Sequence, residues 1–97
     1  MTTRRAYKLK AGNIQHLKIH TEPLADPAAD EVQIEVKAIG LNFADVFAIW
    51  GLYAAAPKDA FVPGLEYAGI VSKVGSDVKT LKEGDRIMGV TRFGAYA

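Results

Sequence analysis

The side chains able to do chemistry fall mostly into two short stretches. From Gly40 to Tyr53 come the amide of Asn42, the carboxylate of Asp45, several large aromatics and the phenol of Tyr53. From Pro63 to Glu66 comes a second carboxylate, Glu66. A few polar atoms among aromatic ones are what a candidate ligand pocket needs, and composition takes the inference no further. His16 and His20 raise the question of a metal. On a strand they would share a face but stand roughly 13 Å apart, at about 3.3 Å per residue. A single ion needs its nitrogens near 2 Å, so the pair cannot share one without a bend. Their alternation with Leu17 and Ile19 puts them with Lys18 on a wet strand face. The chain has no cysteine, which removes disulfides, thiolate metal ligands and thiolate nucleophiles together. No Gly-x-Gly pair, Gly-Lys-Ser/Thr or Gly-x-Ser-x-Gly occurs, so both phosphate cradles and the serine elbow are missing.

The elements that must position these groups are mainly strands. Residues 31–38 alternate polar and apolar side chains, giving a strand with one dry face, and residues 16–20 alternate in the same way. Residues 5–9, 67–74 and 86–90 read as further strands, the last two bounded by the turn clusters Gly75-Ser76-Asp77 and Lys82-Glu83-Gly84-Asp85. One segment breaks the period of two. Phe43, Val46, Phe47 and Trp50 fall at i, i+3, i+4 and i+7, which predicts a helix over 43–50 with those aromatics facing the core. Asn42 stands at its N-cap, Asp45 near the positive end of its dipole, and Gly51 where a left-handed residue stops it. Six or more short strands with one helix inserted predict a mainly β domain, a small barrel.

Ninety-seven residues allow one small domain. Twelve basic and eleven acidic side chains leave a net charge of +1, without the basic excess of a nucleic-acid binder. Arg4, Arg5, Lys8 and Lys10 read as a solvated edge strand. No apolar run approaches the roughly 20 residues of a membrane span, and a cytoplasmic protein is expected.

Pro63-Gly64-Leu65-Glu66-Tyr67-Ala68-Gly69-Ile70-Val71, followed by Val74-Gly75, Val78 and Gly84-Asp85-Arg86-Ile87-Met88-Gly89, resembles the medium-chain dehydrogenase/reductase superfamily. Gly40-Leu41-Asn42-Phe43-Ala44-Asp45 with Gly51-Leu52-Tyr53 resembles its zinc-free quinone oxidoreductase and VAT-1-like branch. The resemblance covers nearly the whole chain. It implies a GroES-like small barrel, here incomplete and with exposed edge strands. Gly64, Gly75 and Gly84 would then sit at turns with positive φ, and Gly69 at a bulge or close approach inside a strand. Where zinc alcohol dehydrogenases of the superfamily carry Cys and His ligands, this chain has Asn42 and Leu65, so no metal is expected.

What the resemblance implies for function is NADPH-dependent hydride delivery to a quinone or an α,β-unsaturated carbonyl. Asn42 and Tyr53 would be the catalytic residues. Asn42, Phe43 and Asp45 would bind the cofactor, and Tyr53, Trp50 and Glu66 would line the substrate pocket. Local roles stand beside these: Asn42 as a cap alone, Asp45 as a brace for the helix start and Tyr53 as a packing aromatic. Glu66 would also suit an ion pair with a base such as Arg86. Family members continue into a Rossmann domain carrying the pyrophosphate loop. Residues 1–97 are therefore expected to be the N-terminal part of the substrate domain, inactive alone and homo-oligomeric when full length. A non-catalytic binding module remains the alternative, either a co-chaperonin-like ring subunit or a VAT-1-like partner-binding protein.

Overall fold

Alternating side chains build strands at β1 (Thr3–Lys8), β2 (Lys18–Pro23), β3 (Val32–Gly40), β4 (Glu66–Val74) and β5 (Arg86–Val90), with one helix, α1 (Phe43–Trp50), between β3 and β4. They are seen in a computed structural model that describes residues 2–54 and 56–97. β1 and β2 form a two-stranded sheet, and β3, β4 and β5 form a three-stranded one in that order. Every pairing is antiparallel. Among the described residues there are five strands rather than six or more, and one isolated bridge joins Leu9 to Phe61. No helix of the described residues is long and apolar enough to cross a membrane.

The strand expected over 16–20 begins later, at Lys18. Asn13 accepts a hydrogen bond from the Gln15 N–H at 2.8 Å and opens a 3-10 turn over Ile14–His16. His16 thus leaves the strand altogether, and its Nδ1 lies 3.2 Å from the Lys10 carbonyl oxygen. A local side-chain bond from Asn outcompetes a short alternating pattern here.

Two features show how closely the three-stranded sheet is fitted. β3 is irregular between Gln33 and Ile34 and between Val36 and Ala38, with Gly69 of β4 paired to Val36. A Cβ on Gly69 would press into the Glu35 carbonyl oxygen and come within 2.7 Å of Ile34 Cγ2, so the close approach is real. Gly64 has a φ of 99° and Gly84 one of 92°, as turn glycines should. Gly75 does not have a positive φ. It is needed because the carbonyl oxygens of Ala28 and Ala29 occupy the space a Cβ would take.

The two sheets do not close into a barrel. Between them lies an open cleft of about 990 Å³, lined in part by Leu24, Val32, Ile34, Val36, Tyr67 and Phe93. Among the described residues β3 and β5 each have a strand partner on one side only, which leaves the sheet two free edges. This is the mainly β small barrel that the strand pattern implied, incomplete and with exposed edges as the resemblance implied.

The helix has the expected bounds but is turned the other way. Its inward residues are Asp45, Ala48 and Ile49. Ala48 and Ile49 join Leu9 and Phe61 in the buried cluster, with Ala11, Leu17, Ala56 and Phe93 packed around it. Phe43 is 86% exposed, Phe47 44% and Trp50 49%. The reason is compositional. Every residue of Phe-Ala-Asp-Val-Phe-Ala-Ile-Trp except Asp45 is apolar, so the helix has two apolar faces. The one with the small Ala48 lets the helix axis approach the core most closely.

Candidate functional site

The candidate site is organised around the start of α1. β3 ends at Gly40, which pairs with Glu66 at the start of β4, and the Glu66 carboxyl lies over Gly40 where a Cβ would otherwise be. Two residues on, Asn42 has extended backbone (φ −134°, ψ 153°) and forms the N-cap. The Asp45 N–H donates to the Asn42 carbonyl oxygen at 3.0 Å, closing the first turn. In return Asp45 Oδ2 accepts the Asn42 N–H at 3.0 Å. A carboxylate one turn into a helix also meets the positive end of the dipole.

Asp45 is 2% exposed, and a buried carboxylate needs more than one donor. The second comes from Tyr96, whose hydroxyl donates to the same Oδ2 at 2.8 Å. Burial first, and then the bond to Asp45 and its charge, push the Tyr96 phenol pKa well above its ordinary 10.0. Tyr96 is held in turn by its own backbone. Its N–H donates to the Pro63 carbonyl oxygen at 3.0 Å, and its carbonyl oxygen accepts the Tyr7 N–H at 2.9 Å. Its ring meets that of Tyr7 edge to face at 6.5 Å and passes close over Gly64. Two polar atoms in this network stay buried without a partner among the described residues, Asn42 Nδ2 and Asp45 Oδ1.

The far end of α1 is fixed just as firmly. Gly51, at φ 80°, donates its N–H to the Ala48 carbonyl oxygen at 3.2 Å, and Leu52 donates to that of Phe47 at 2.8 Å. The Gly12 N–H donates to the Ile49 carbonyl oxygen at 2.8 Å, tying the helix end to the segment after β1. Tyr53 follows and meets Phe93 edge to face at 6.0 Å, with Phe93 on Phe61 at 5.5 Å. Phe93 has a φ of 64°, unusual for a bulky residue, and its carbonyl oxygen accepts the Thr91 hydroxyl at 3.2 Å.

The structure therefore brings Asn42, Phe43 and Asp45 together on one turn, with Glu66 beside the chain entering it. Trp50 lies on the outward face, at 6.5 Å from Phe47 edge to face. Tyr53 lies past the opposite end of α1, an eight-residue helix about 12 Å long. None of Asn42, Trp50, Tyr53 and Glu66 lines the large cleft between the sheets. Glu66 has no ion pair among the described residues. It pairs with Val90 across the sheet, while Arg86 sits opposite Ile70, four residues along the strand. Tyr96 and Phe93 went unnoticed in the sequence. Neither belongs to a periodic segment, and the one available signal was that a carboxylate on an otherwise apolar helix must find a donor somewhere.

Comparison with known proteins gives this arrangement a setting. Residues 28–96 match the family described as the alcohol dehydrogenase GroES-like domain. The chain is 51% identical over 76 residues to quinone oxidoreductase 1 of Escherichia coli (strain K12), covering 75% of this chain and 22% of that protein. Its fold superposes on the crystal structure of the human synaptic vesicle membrane protein VAT-1 homolog-like protein with a TM-score of 0.91 at 35% identity, over 99% of this chain and 31% of the other. For Escherichia coli quinone oxidoreductase complexed with NADPH the TM-score is 0.85 at 44% identity, over 99% and 29%. The chain spans only 19–22% of the length of the curated relatives it matches.

Proposed function

The chain belongs to the alcohol dehydrogenase GroES-like domain family, among its quinone oxidoreductase and VAT-1-like members, and we propose that it forms the substrate-side part of a zinc-independent oxidoreductase. In this reading the substrate is a quinone or an α,β-unsaturated carbonyl, and NADPH, when bound, supplies the hydride. The observation that carries it is at one helix start: an amide donor with no protein partner, Asn42 Nδ2, next in sequence to the exposed ring of Phe43. A carbonyl oxygen satisfies such a donor after the small local opening its burial requires, and a flat ring system lies well on an exposed aromatic face.

Each residue then has a limited task. Asn42 Nδ2 donates to the substrate or cofactor carbonyl and orients it. Phe43 and Trp50 supply apolar surface that excludes water, and Asp45 braces the turn. Tyr53 offers its phenolic O–H as a hydrogen-bond or proton donor, with Glu66 at the rim. The reaction suits a site without a Lewis acid, because a quinone or enone is already electrophilic and asks mainly for orientation and one polar contact. Cysteine-free composition, with Asn42 and Leu65 at the positions of the family's metal ligands, supports the zinc-independent assignment. The chain has no Gly-rich phosphate loop, so only the nicotinamide end of NADPH suits these residues. The phosphates would be held by a Rossmann domain of a longer, homo-oligomeric, cytoplasmic protein.

The test is an amide-resolved NMR titration of the chain with NADPH and, separately, with cyclohexenone. Weak, saturable shifts confined to Asn42–Asp45, Trp50 and Tyr53 are expected. Shifts only in the cleft between the sheets, or none at all, would overturn the reading. A second reading, partner binding in the manner of a VAT-1-like protein, draws on the exposure of Leu41, Phe43, Trp50 and Leu52 on and beside α1. It gains if neither small molecule moves these residues.

A further inference from the structure

A single oxygen atom joins the start of α1 to a residue 51 positions later in the chain. Asp45 Oδ2 accepts the Asn42 N–H at 3.0 Å and the Tyr96 hydroxyl at 2.8 Å. Tyr96 is bonded through its backbone to Pro63 and to Tyr7. The position of the Asn42 backbone is thereby referred, through one carboxylate, to β1 and to the segment entering β4. We propose that Tyr96 is a positioning residue: its hydroxyl, acting through Asp45, sets where Asn42 stands and keeps the Asn42 amide free for a ligand.

Three observations support this. First, both donors converge on Oδ2 and leave Oδ1 without a partner, so the carboxylate's orientation depends on where the two donors sit. Second, Asp45 is 2% exposed, so its carboxylate depends on donors supplied by the protein. Third, Gly64 makes room for the ring: a Cβ there would meet Tyr96 Cδ1 at 2.5 Å and the Ala95 Cβ at 2.9 Å. The phenol pKa is raised first by burial and then by the bond that holds its neutral O–H against the Asp45 carboxylate. The inference rests on the reading that Asn42 meets the ligand, but its test does not.

The wild-type chain supplies the first measurement. Two protons donated to one oxygen, each about 2 Å from it, lie within about 4 Å of each other. A nuclear Overhauser contact between the Tyr96 hydroxyl proton and the Asn42 amide proton is therefore expected, and its absence in a fully assigned spectrum would overturn the proposal. Tyr96→Phe supplies the second. It keeps the ring over Gly64 and against Tyr7 and deletes only the hydroxyl. Hydrogen-exchange protection of the Asn42 N–H should fall roughly tenfold, and the Asn42 side-chain amide resonances should move, while cross-strand amides of β3–β5 hold. A tyrosine that merely packs would leave Asn42 unchanged in Tyr96→Phe and show its effect only in Tyr96→Leu, and that result also overturns the proposal. If Asn42 moves as expected and yet neither NADPH nor cyclohexenone touches it, the positioning stands and the catalytic reading falls.

Discussion

Phe43→Ala and Ile49→Ala, on the exposed and the buried face of the helix, separate two accounts of what holds α1 in place. If the aromatic stripe faced the core, truncating Phe43 would cost about 3–5 kcal/mol, as for other buried phenylalanines. The observed exposure of 86% leaves only about 30 Å² of a side chain of roughly 200 Å² out of water. At about 25 cal/mol per Å² this limits the loss to roughly 0.7 kcal/mol. Ile49, at 4% exposed and inside the Leu9–Ala48–Phe61 cluster, should instead cost about 2–5 kcal/mol as alanine. Urea unfolding followed by far-ultraviolet circular dichroism gives both midpoints with comparable slopes. The expected order is wild type close to Phe43→Ala, with Ile49→Ala far below. A loss above about 2 kcal/mol for Phe43→Ala would refute the orientation of the helix, and with it the surface on which the proposed ligand lies. If stability holds while the NADPH-dependent shifts vanish, Phe43 contributes to contact and little to folding.

Two predictions concern pH. The Tyr96 phenol is raised above 10.0, so its bond to Asp45 contributes fully below pH 10, where folded and unfolded chains both keep the proton. As pH rises past 10 the unfolded chain loses that proton first and stability falls; urea midpoints from pH 8 upward should show the fall in wild type and less of it in Tyr96→Phe. Glu22 behaves in the opposite sense. Hydrogen bonds from Arg4 and Lys8, at 2.8 and 3.2 Å, hold its carboxyl below its ordinary 4.5. That contribution is present above pH 4.5 and is lost as pH drops through the lowered value, and Glu22→Gln should flatten this part of the stability curve. Arg4 and Lys8 are partly solvated, so the effect should stay under about 1 kcal/mol and shrink in high salt, as thermal melts at two ionic strengths would report.

What the sequence disclosed was whatever is decided within a few residues. Asn42 and Gly51 bound α1 because capping and the left-handed stop are local events, and the alternation of residues 31–38 needed only its own pleat to become β3. The direction of the helix was not legible. An apolar stripe says that a face is apolar, but with apolar residues all round, contact with Leu9 and Phe61 decides which face is covered. His16 misled because Asn13, outside the alternating stretch, captures the Gln15 N–H. Gly75 opens the turn at Ser76 and Asp77, as its sequence cluster implied, but the reason for a glycine there lies in the carbonyls of Ala28 and Ala29, on a distant segment. For the site, the cluster of Asn42, Phe43 and Asp45 followed from one helical turn. Tyr96 did not, because no local rule connects it to Asp45.

The bond from Tyr96 to Asp45 also bears on the order of assembly. An eight-residue helix has little tendency to persist alone, and its inward face carries a carboxylate that costs about 1–3 kcal/mol to bury without donors. Asp45 receives its second donor from a residue 51 positions later in the chain. The segment around residue 96 also caps the edge of β1 through the Tyr7 N–H. During synthesis from the N-terminus, the β1–β2 pair can form from what has already emerged, whereas α1 seats fully only once residue 96 is available. The helix start is thus made 51 residues before the donor that lets it become rigid.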